Sequence, residues 1–221
     1  MIKAVIFDMY ETLITHYDCP LYFGSNMAED AGIAPDDFLP MWRGSESDRF
    51  VGRETLEGIL EKIMRANGKF DPMLLEKIVK KRISCKEELF KHLNPEIIPM
   101  LEGIKEKGLK IGLITNCFSE ESDVIKRSVL YKYFDETCIS FDEGLEKPDP
   151  EIFYRCARKL GVNPDECLYV GDGGSHELEG ADAVGMHPLQ AMWYYRGEWT
   201  QTDKKGDFRQ AYSPLEVLKN L

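Results

Sequence analysis

The chain opens on an apolar run, Ile2-Lys3-Ala4-Val5-Ile6-Phe7, that stops at an acid, Asp8. A short, nearly continuous apolar run bounded by a polar turn reads as a strand buried on both faces. From about residue 20 to 93 the pattern changes to helical spacing, as in Leu56, Ile59, Leu60, Ile63 and Met64. A helix is expected over 36–50, carrying Trp42-Arg43, and another starts at Asp71-Pro72, with an acid at the N-cap and Pro at the first position. Leu74, Leu75, Ile78, Val79 and Ile83 continue it, and no strand is expected in this block.

Alternation then sets in. Helix is expected over 97–107 with Gly108 as its stop, strand over 110–115 (KIGLIT), helix over 120–130 and strand over 137–141. Helix follows over 150–160, strand over 167–172 (CLYVGD), helix over 176–184 and a short strand near 187–192. Strands alternating with helices give a parallel sheet with right-handed crossovers. The fold class is therefore α/β, a Rossmann-like parallel sheet core formed by 1–14 and 94–221 and interrupted by an α-helical insert at 15–93. The tail carries Trp193, Tyr194, Tyr195, Trp199, Phe208 and Tyr212, expected to pack along a sheet edge, and Ser213-Pro214-Leu215-Glu216 reads as a capping box opening a last helix.

Composition narrows the function. With 221 residues and 43% hydrophobic content the chain can bury a sizeable core. A formal net charge of −11 argues against nucleic acid and anionic membranes, though not against a small anionic metabolite held by a local cation. Six scattered cysteines without a CxxC, and a start that runs straight into a strand, suggest a reduced, cytoplasmic protein. No apolar run reaches the roughly 18–20 residues of a membrane span. Oligomeric state is left open.

Ligands of an open parallel sheet bind at the carboxyl ends of its strands. Those ends carry Asp8, Tyr10 and Thr12 after the first strand, and Thr115 and Asn116 at the second. Lys147 follows the third, and Asp172 and Glu177 the fourth. Singly each is an ordinary turn, cap or surface residue. Together they converge acids, donors and one cation on a single edge.

The joint pattern resembles the haloacid dehalogenase superfamily over essentially the whole chain. FDMYETL, LITN, EKPDP and GDGGSHELEGADAVGM are similar to its four motifs, in order. The resemblance implies that Asp8 is a nucleophile forming a covalent intermediate. It implies a Mg²⁺ site made by Asp8, Asp172 and the Tyr10 carbonyl. Thr115, with the amide of Asn116, would bind phosphate oxygens, and Lys147 would neutralise developing charge. Thr12 would hydrogen-bond within the nucleophile loop, and Glu177 would reach the metal through water. The helical insert would be a mobile cap.

Tyr10 complicates this picture. Phosphatases of the superfamily usually have Asp there as general acid, an aid of roughly 10²–10⁴-fold. Tyrosine, with an ordinary pKa of about 10, is a poor replacement. The 2-haloacid dehalogenase branch carries Tyr at this place, and Arg43 falls where that branch places an arginine for its substrate. The fourth motif points the other way, since Asp172 suits a metal-dependent phosphohydrolase. The primary expectation is a Mg²⁺-dependent phosphohydrolase favouring good leaving groups. The alternatives are a 2-haloacid dehalogenase and a non-catalytic binding protein. Glu11 points away from Tyr10 in an extended segment and is a weaker candidate acid. His16, near the mouth, and His176, at a helix start, are not assigned roles.

Overall fold

A computed structural model describes residues 1–197 and 206–221. The described residues form a six-stranded parallel sheet in the order β3-β2-β1-β4-β5-β6. Its strands are β1 (Ala4–Phe7), β2 (Lys110–Thr115), β3 (Glu136–Ile139), β4 (Cys167–Gly171), β5 (His187–Ala191) and β6 (Arg209–Ala211). β1 is central, aligning Phe7 with Leu113 of β2 on one side and Val170 of β4 on the other. All four β1 side chains are fully buried, which the unbroken apolar run requires.

The pleat sends alternate residues into two cores. Val5 and Phe7 join a cluster with Ile97, Met100, Leu101 and Ile104 of α6 (Ile97–Glu106) and Val124 and Ile125 of α7 (Ser119–Arg127). Ala4 and Ile6 join Ile152, Phe153 and Cys156 of α9 (Pro150–Leu160) and Leu178 and Ala181 of α10 (Glu177–Ala183). The sheet therefore has helices on both faces.

Between β1 and α6 lie α1 (Gly24–Asp30), α2 (Pro35–Gly44), α3 (Glu46–Phe50), α4 (Leu56–Ala66) and α5 (Pro72–Leu89). They bury a cluster of their own that includes Met27, Phe38, Leu60, Ile63 and Ile78. Asp71 caps α5, its side chain accepting from Met73 N at 2.8 Å. Near the end of the insert, Leu89 and Phe90 already pack with the sheet.

Several local expectations change. The helix expected over 36–50 breaks at Ser45, whose hydroxyl donates to the Trp42 carbonyl at 2.9 Å. The third strand ends at Ile139, because Ser140–Glu143 turns into a short helix, α8. The tail closes with a 3₁₀ helix over Pro214–Asn220 in place of an α-helix. Ser213 makes no side-chain cap there, and Glu216 accepts from Tyr212 N instead. β6 is too short for its pattern to announce it. Trp199 lies outside the described residues. No helix among them is long and apolar enough to cross a membrane.

Candidate active site

The first strand delivers Asp8 to the carboxyl edge of the sheet, where its backbone N–H still donates to Val170 O of β4 at 2.9 Å. The loop then folds tightly back. Leu13 N and Ile14 N both donate to the Met9 carbonyl, and Glu11 adopts φ 57° at the bend. This left-handed turn is what an extended reading of the loop misses. It brings Glu11 to the cavity wall, where its carboxylate accepts from Thr15 Oγ1 at 2.6 Å and from His16 N at 3.0 Å.

Lys147 reaches the same point from the loop after α8. Its ammonium donates to Asp8 Oδ1 at 2.6 Å and to Glu177 Oε2, and contacts the Tyr169 hydroxyl and Ile114 carbonyl at 3.3 Å each. The Asn116 side chain fixes the Lys147 backbone: Lys147 N donates to Asn116 Oδ1 at 2.8 Å, and Asn116 Nδ2 donates to Lys147 O at 3.0 Å. That side chain thus positions the lysine, a role its motif did not disclose.

Glu177 departs from expectation. It is buried and bonds directly to Lys147 and to the Tyr169 hydroxyl (2.8 Å), while Gly173 N donates to its other oxygen at 3.1 Å. Gly171 permits this approach, since a Cβ there would fall 2.1 Å from Glu177 Oε1. Tyr169, a third partner of this network, carried no sequence signal beyond its place in a buried strand. Asp172 follows β4; its Oδ1 accepts from Gly174 N at 3.0 Å and its carbonyl from Gln190 Nε2 at 2.8 Å.

Thr115 stands at the end of β2 with its hydroxyl buried and without a hydrogen-bond partner. It stands at the strand edge beside Asn116 but is not itself among the residues that line the cavity. Thr12 is also buried with an unpartnered hydroxyl, so the expected bond within the loop is absent. Its carbonyl instead accepts from Trp193 Nε1 at 2.8 Å, which ties the loop after β1 to the aromatic tail. Arg43 is exposed in the last turn of α2 and does not line the cavity. The inward arginine is Arg49, stacked between the rings of Trp42 (3.7 Å) and Phe118 (4.0 Å). His176 is exposed, whereas His16 lines the cavity.

The electrostatics are unbalanced. Carboxylate oxygens of Asp8, Asp172 and Glu177 lie within 4.8 Å of one another. Burial, then the Glu177 charge, pushes the Asp8 carboxyl up to about 7 despite Lys147. Burial also pushes Glu177 up, with Asp172 adding repulsion. Lys147 would be lowered by burial, but Asp8 and Glu177 hold it above the ordinary lysine range. Three clustered acids, two of them bonded to the one ammonium, form a hard-oxygen donor set with negative charge to spare. A divalent cation such as Mg²⁺ fits it.

Beside this cluster opens a cavity of about 450 Å³ that Tyr10, Tyr17, Leu21, Phe23 and Asn116 also line. Fold and cluster together define an α/β protein that gathers three acids at the carboxyl edge of a parallel sheet. The chain belongs to the haloacid dehalogenase-like hydrolases, whose family model matches residues 2–185. It is 28% identical to a glyceraldehyde 3-phosphate phosphatase of Methanopyrus kandleri, over 94% of this chain and 90% of that one. A protein of the same name from Methanocaldococcus jannaschii is 24% identical over 100% of this chain and 99% of its own length. Among solved structures, a 2-haloacid dehalogenase from Pseudomonas syringae superposes with a TM-score of 0.72 at 22% identity, covering 99% of this chain and 97% of that one. A Bacteroides thetaiotaomicron family enzyme in complex with magnesium and inorganic phosphate gives a TM-score of 0.64 at 17% identity, covering 86% and 94%.

Proposed function

We propose that the protein is a Mg²⁺-dependent phosphohydrolase of small phosphorylated metabolites that works through a phosphoryl group carried on Asp8. The observation that carries this reading is the excess of carboxylate around Lys147, with Asp172 among the three acids. A site for halide displacement needs no such donor set. Asp8, Asp172 and the backbone carbonyl of Tyr10 would hold the ion, with Glu177 behind them. When bound, Mg²⁺ supplies the positive charge that lets a carboxylate and a phosphate dianion approach.

The chain's own residues do the rest. Asp8 attacks phosphorus and is held in line by Lys147. The unpartnered Thr115 hydroxyl donates to a phosphoryl oxygen. Water then hydrolyses the aspartyl phosphate and restores the carboxylate. No carboxylic acid stands at position 10, so esters with good leaving groups are favoured. The helical insert, 15–93, acts as the cap, and its first residues Tyr17, Leu21 and Phe23 furnish part of the cavity wall. Relatives named as phosphatases support the reaction class. Glyceraldehyde 3-phosphate, with its uncharged tail, is one substrate to try. The cysteines, all unpaired, accord with a cytoplasmic setting.

Tyr10 favours the second reading, a 2-haloacid dehalogenase. Among the described residues no arginine lines the cavity to receive a substrate carboxylate. A non-catalytic scaffold, the third reading, has no use for so unbalanced a cluster. The experiment is phosphate release from p-nitrophenyl phosphate with and without Mg²⁺, beside chloride release from 2-chloropropionate without metal. Mg²⁺-dependent phosphate release is expected. Chloride release that survives Asp172→Ala would overturn the reading, and inactivity toward both compounds would favour the scaffold.

A further inference from the structure

The cavity has two chemically different ends. Asp8, Lys147 and Glu177 are buried at its depth, while Leu21 and Phe23 stand 49% and 40% exposed at its mouth. The rings of Tyr10, His16 and Tyr17 also line it.

His16 is held there as a flat plate. Its Nδ1 faces Glu11 Oε1 at 2.9 Å and its Nε2 faces Lys86 Nζ at 2.8 Å. Lys86 pairs with Glu121 at 2.6 Å, so it is an ammonium and can only donate. A carboxylate can only accept. The imidazole is therefore neutral, with its proton on Nδ1, and neither nitrogen is left for a ligand. Burial and the Lys86 charge also lower its pKa. What it offers is its ring, stacked on Tyr10 at 4.9 Å and 17° and tilted toward Phe23 at 5.9 Å.

Charge restricts the ligand further. Four acids line the cavity, Asp8, Glu11, Asp172 and Glu177, against the single ammonium of Lys147, which Asp8 and Glu177 already engage. A second anionic group on the substrate would meet no cation among the described lining residues. The part of the substrate beyond its phosphate must carry no negative charge, and the wall it meets is aromatic, which suits an uncharged ring.

We propose that this cavity recognises phosphomonoesters of phenol-like hydroxyls, whose ring packs on the Tyr10–His16–Phe23 wall while the phosphate meets Asp8 and Thr115. The proposal rests on the phosphohydrolase reading and assigns its substrate class. It also gives Tyr10 a positive use. A phenolate, with a conjugate acid of pKa about 10, leaves without a general acid far more readily than an alkoxide. Asp8 Oδ bonds to phosphorus as the phosphorus–aryl oxygen bond breaks, and the electron pair departs on the phenolate. Water then attacks phosphorus, the acyl–phosphate bond breaks to return the Asp8 carboxylate, and the proton that water loses ends on the phenolate. The balance is aryl phosphate plus water giving phenol plus orthophosphate.

The test separates recognition from turnover. Phenylphosphonate and methylphosphonate, which cannot be hydrolysed, are titrated in Mg²⁺ by calorimetry. Phenylphosphonate should bind about tenfold more tightly, the scale of an aromatic contact plus ring burial. Phe23→Ala should shrink that ratio to about threefold, and Leu21→Ser provides a second probe if Phe23→Ala does not fold. Turnover should favour phenyl phosphate over glycerol 3-phosphate in kcat/KM, and Phe23→Ala should narrow that preference mainly through KM. Equal affinity for the two phosphonates overturns the proposal, as does a phenyl preference that both variants leave intact. Faster turnover of glycerol 3-phosphate overturns it too. A retained phenylphosphonate preference with no turnover of any ester supports the recognition and removes the phosphohydrolase reading alone.

Discussion

Among the described residues, two buried clusters of charge are built to opposite ends. At the carboxyl edge of the sheet, Asp8 and Glu177 bond Lys147, and Asp172 clusters with those two acids. At the seam between insert and sheet, Glu120 and Glu121 of α7 meet Arg82 and Lys86 of α5, two acids against two cations. In the seam each acid faces a cation, although burial and the Glu121 charge still raise Glu120. Arg82 reaches Glu120 at 3.1 Å, Glu121 at 3.2 Å and the Tyr22 carbonyl at 2.7 Å. Burial favours the neutral form of Glu121, but Lys86 and Arg82 outweigh it and hold that carboxyl at about 2. At the edge, by contrast, Asp8 rises to about 7. Balanced buried charge fixes the insert on the sheet, while unbalanced buried charge is poised to bind a cation and an electrophile.

The comparison breaks most sharply at Asp8. On the proposed mechanism Asp8→Asn removes the nucleophile and should lower kcat by at least roughly 10⁴-fold. It also relieves repulsion at the edge, so the melting temperature should hold or rise. A large loss of stability there would mean that the edge, too, is structural.

Glu121→Gln should do the reverse. It leaves Lys86 and Arg82 underpaired in the seam and should cost about 3 kcal/mol of unfolding free energy in denaturant melts. The folded pKa of Glu121 lies below its ordinary 4.5, so its contribution is complete above that pH and is lost as pH falls toward about 2. The variant should therefore lose less stability than the wild type between those pH values. An identical acid limb in both proteins would deny the seam its role.

Smaller effects sharpen the edge. Thr115→Val should lower kcat/KM about 10²-fold, the scale of one lost oxyanion donor. It should leave stability unharmed, because the hydroxyl has no partner to lose. Mg²⁺ binding should release on the order of half a proton at pH 7, measured by calorimetry in buffers of different ionisation heat. The release follows because Asp8 sits at about 7 and a cation favours its ionised form. It should fade above about pH 8, where Asp8 is already ionised.

How much of this was legible in sequence follows from the range of each signal. The strand ahead of Asp8 was legible because its side chains are buried on both faces, and that forbids polar residues. Asp8, Thr115 and Asp172 were legible as edge residues because each sits at or just past a strand end, and the sheet gathers such ends, whereas Lys147 lies beyond α8 and was placed through its motif. Arg43 was misplaced because helical periodicity does not show the break at Ser45, and the inward-facing arginine came six residues later. The seam was illegible, since Arg82 and its partner Glu120 are 38 residues apart with no periodic relation. Glu11 was turned the wrong way because a single positive φ at a non-glycine residue leaves no compositional mark. Thr12 matched its motif, yet its bond runs through the carbonyl to Trp193, and residue type cannot reveal a backbone contact.

The central claim is that a phosphoryl group passes through the Asp8 carboxylate. It is tested most directly by quenching the enzyme with borohydride during turnover of phenyl phosphate in Mg²⁺ and mapping the products by mass spectrometry. An aspartyl phosphate is reduced to the alcohol, while a free carboxylate is not. The account predicts a reduced side chain at position 8 that depends on substrate and Mg²⁺ and is absent from Asp8→Asn. Steady turnover with no reduction at Asp8, or with reduction at another acid, would contradict it.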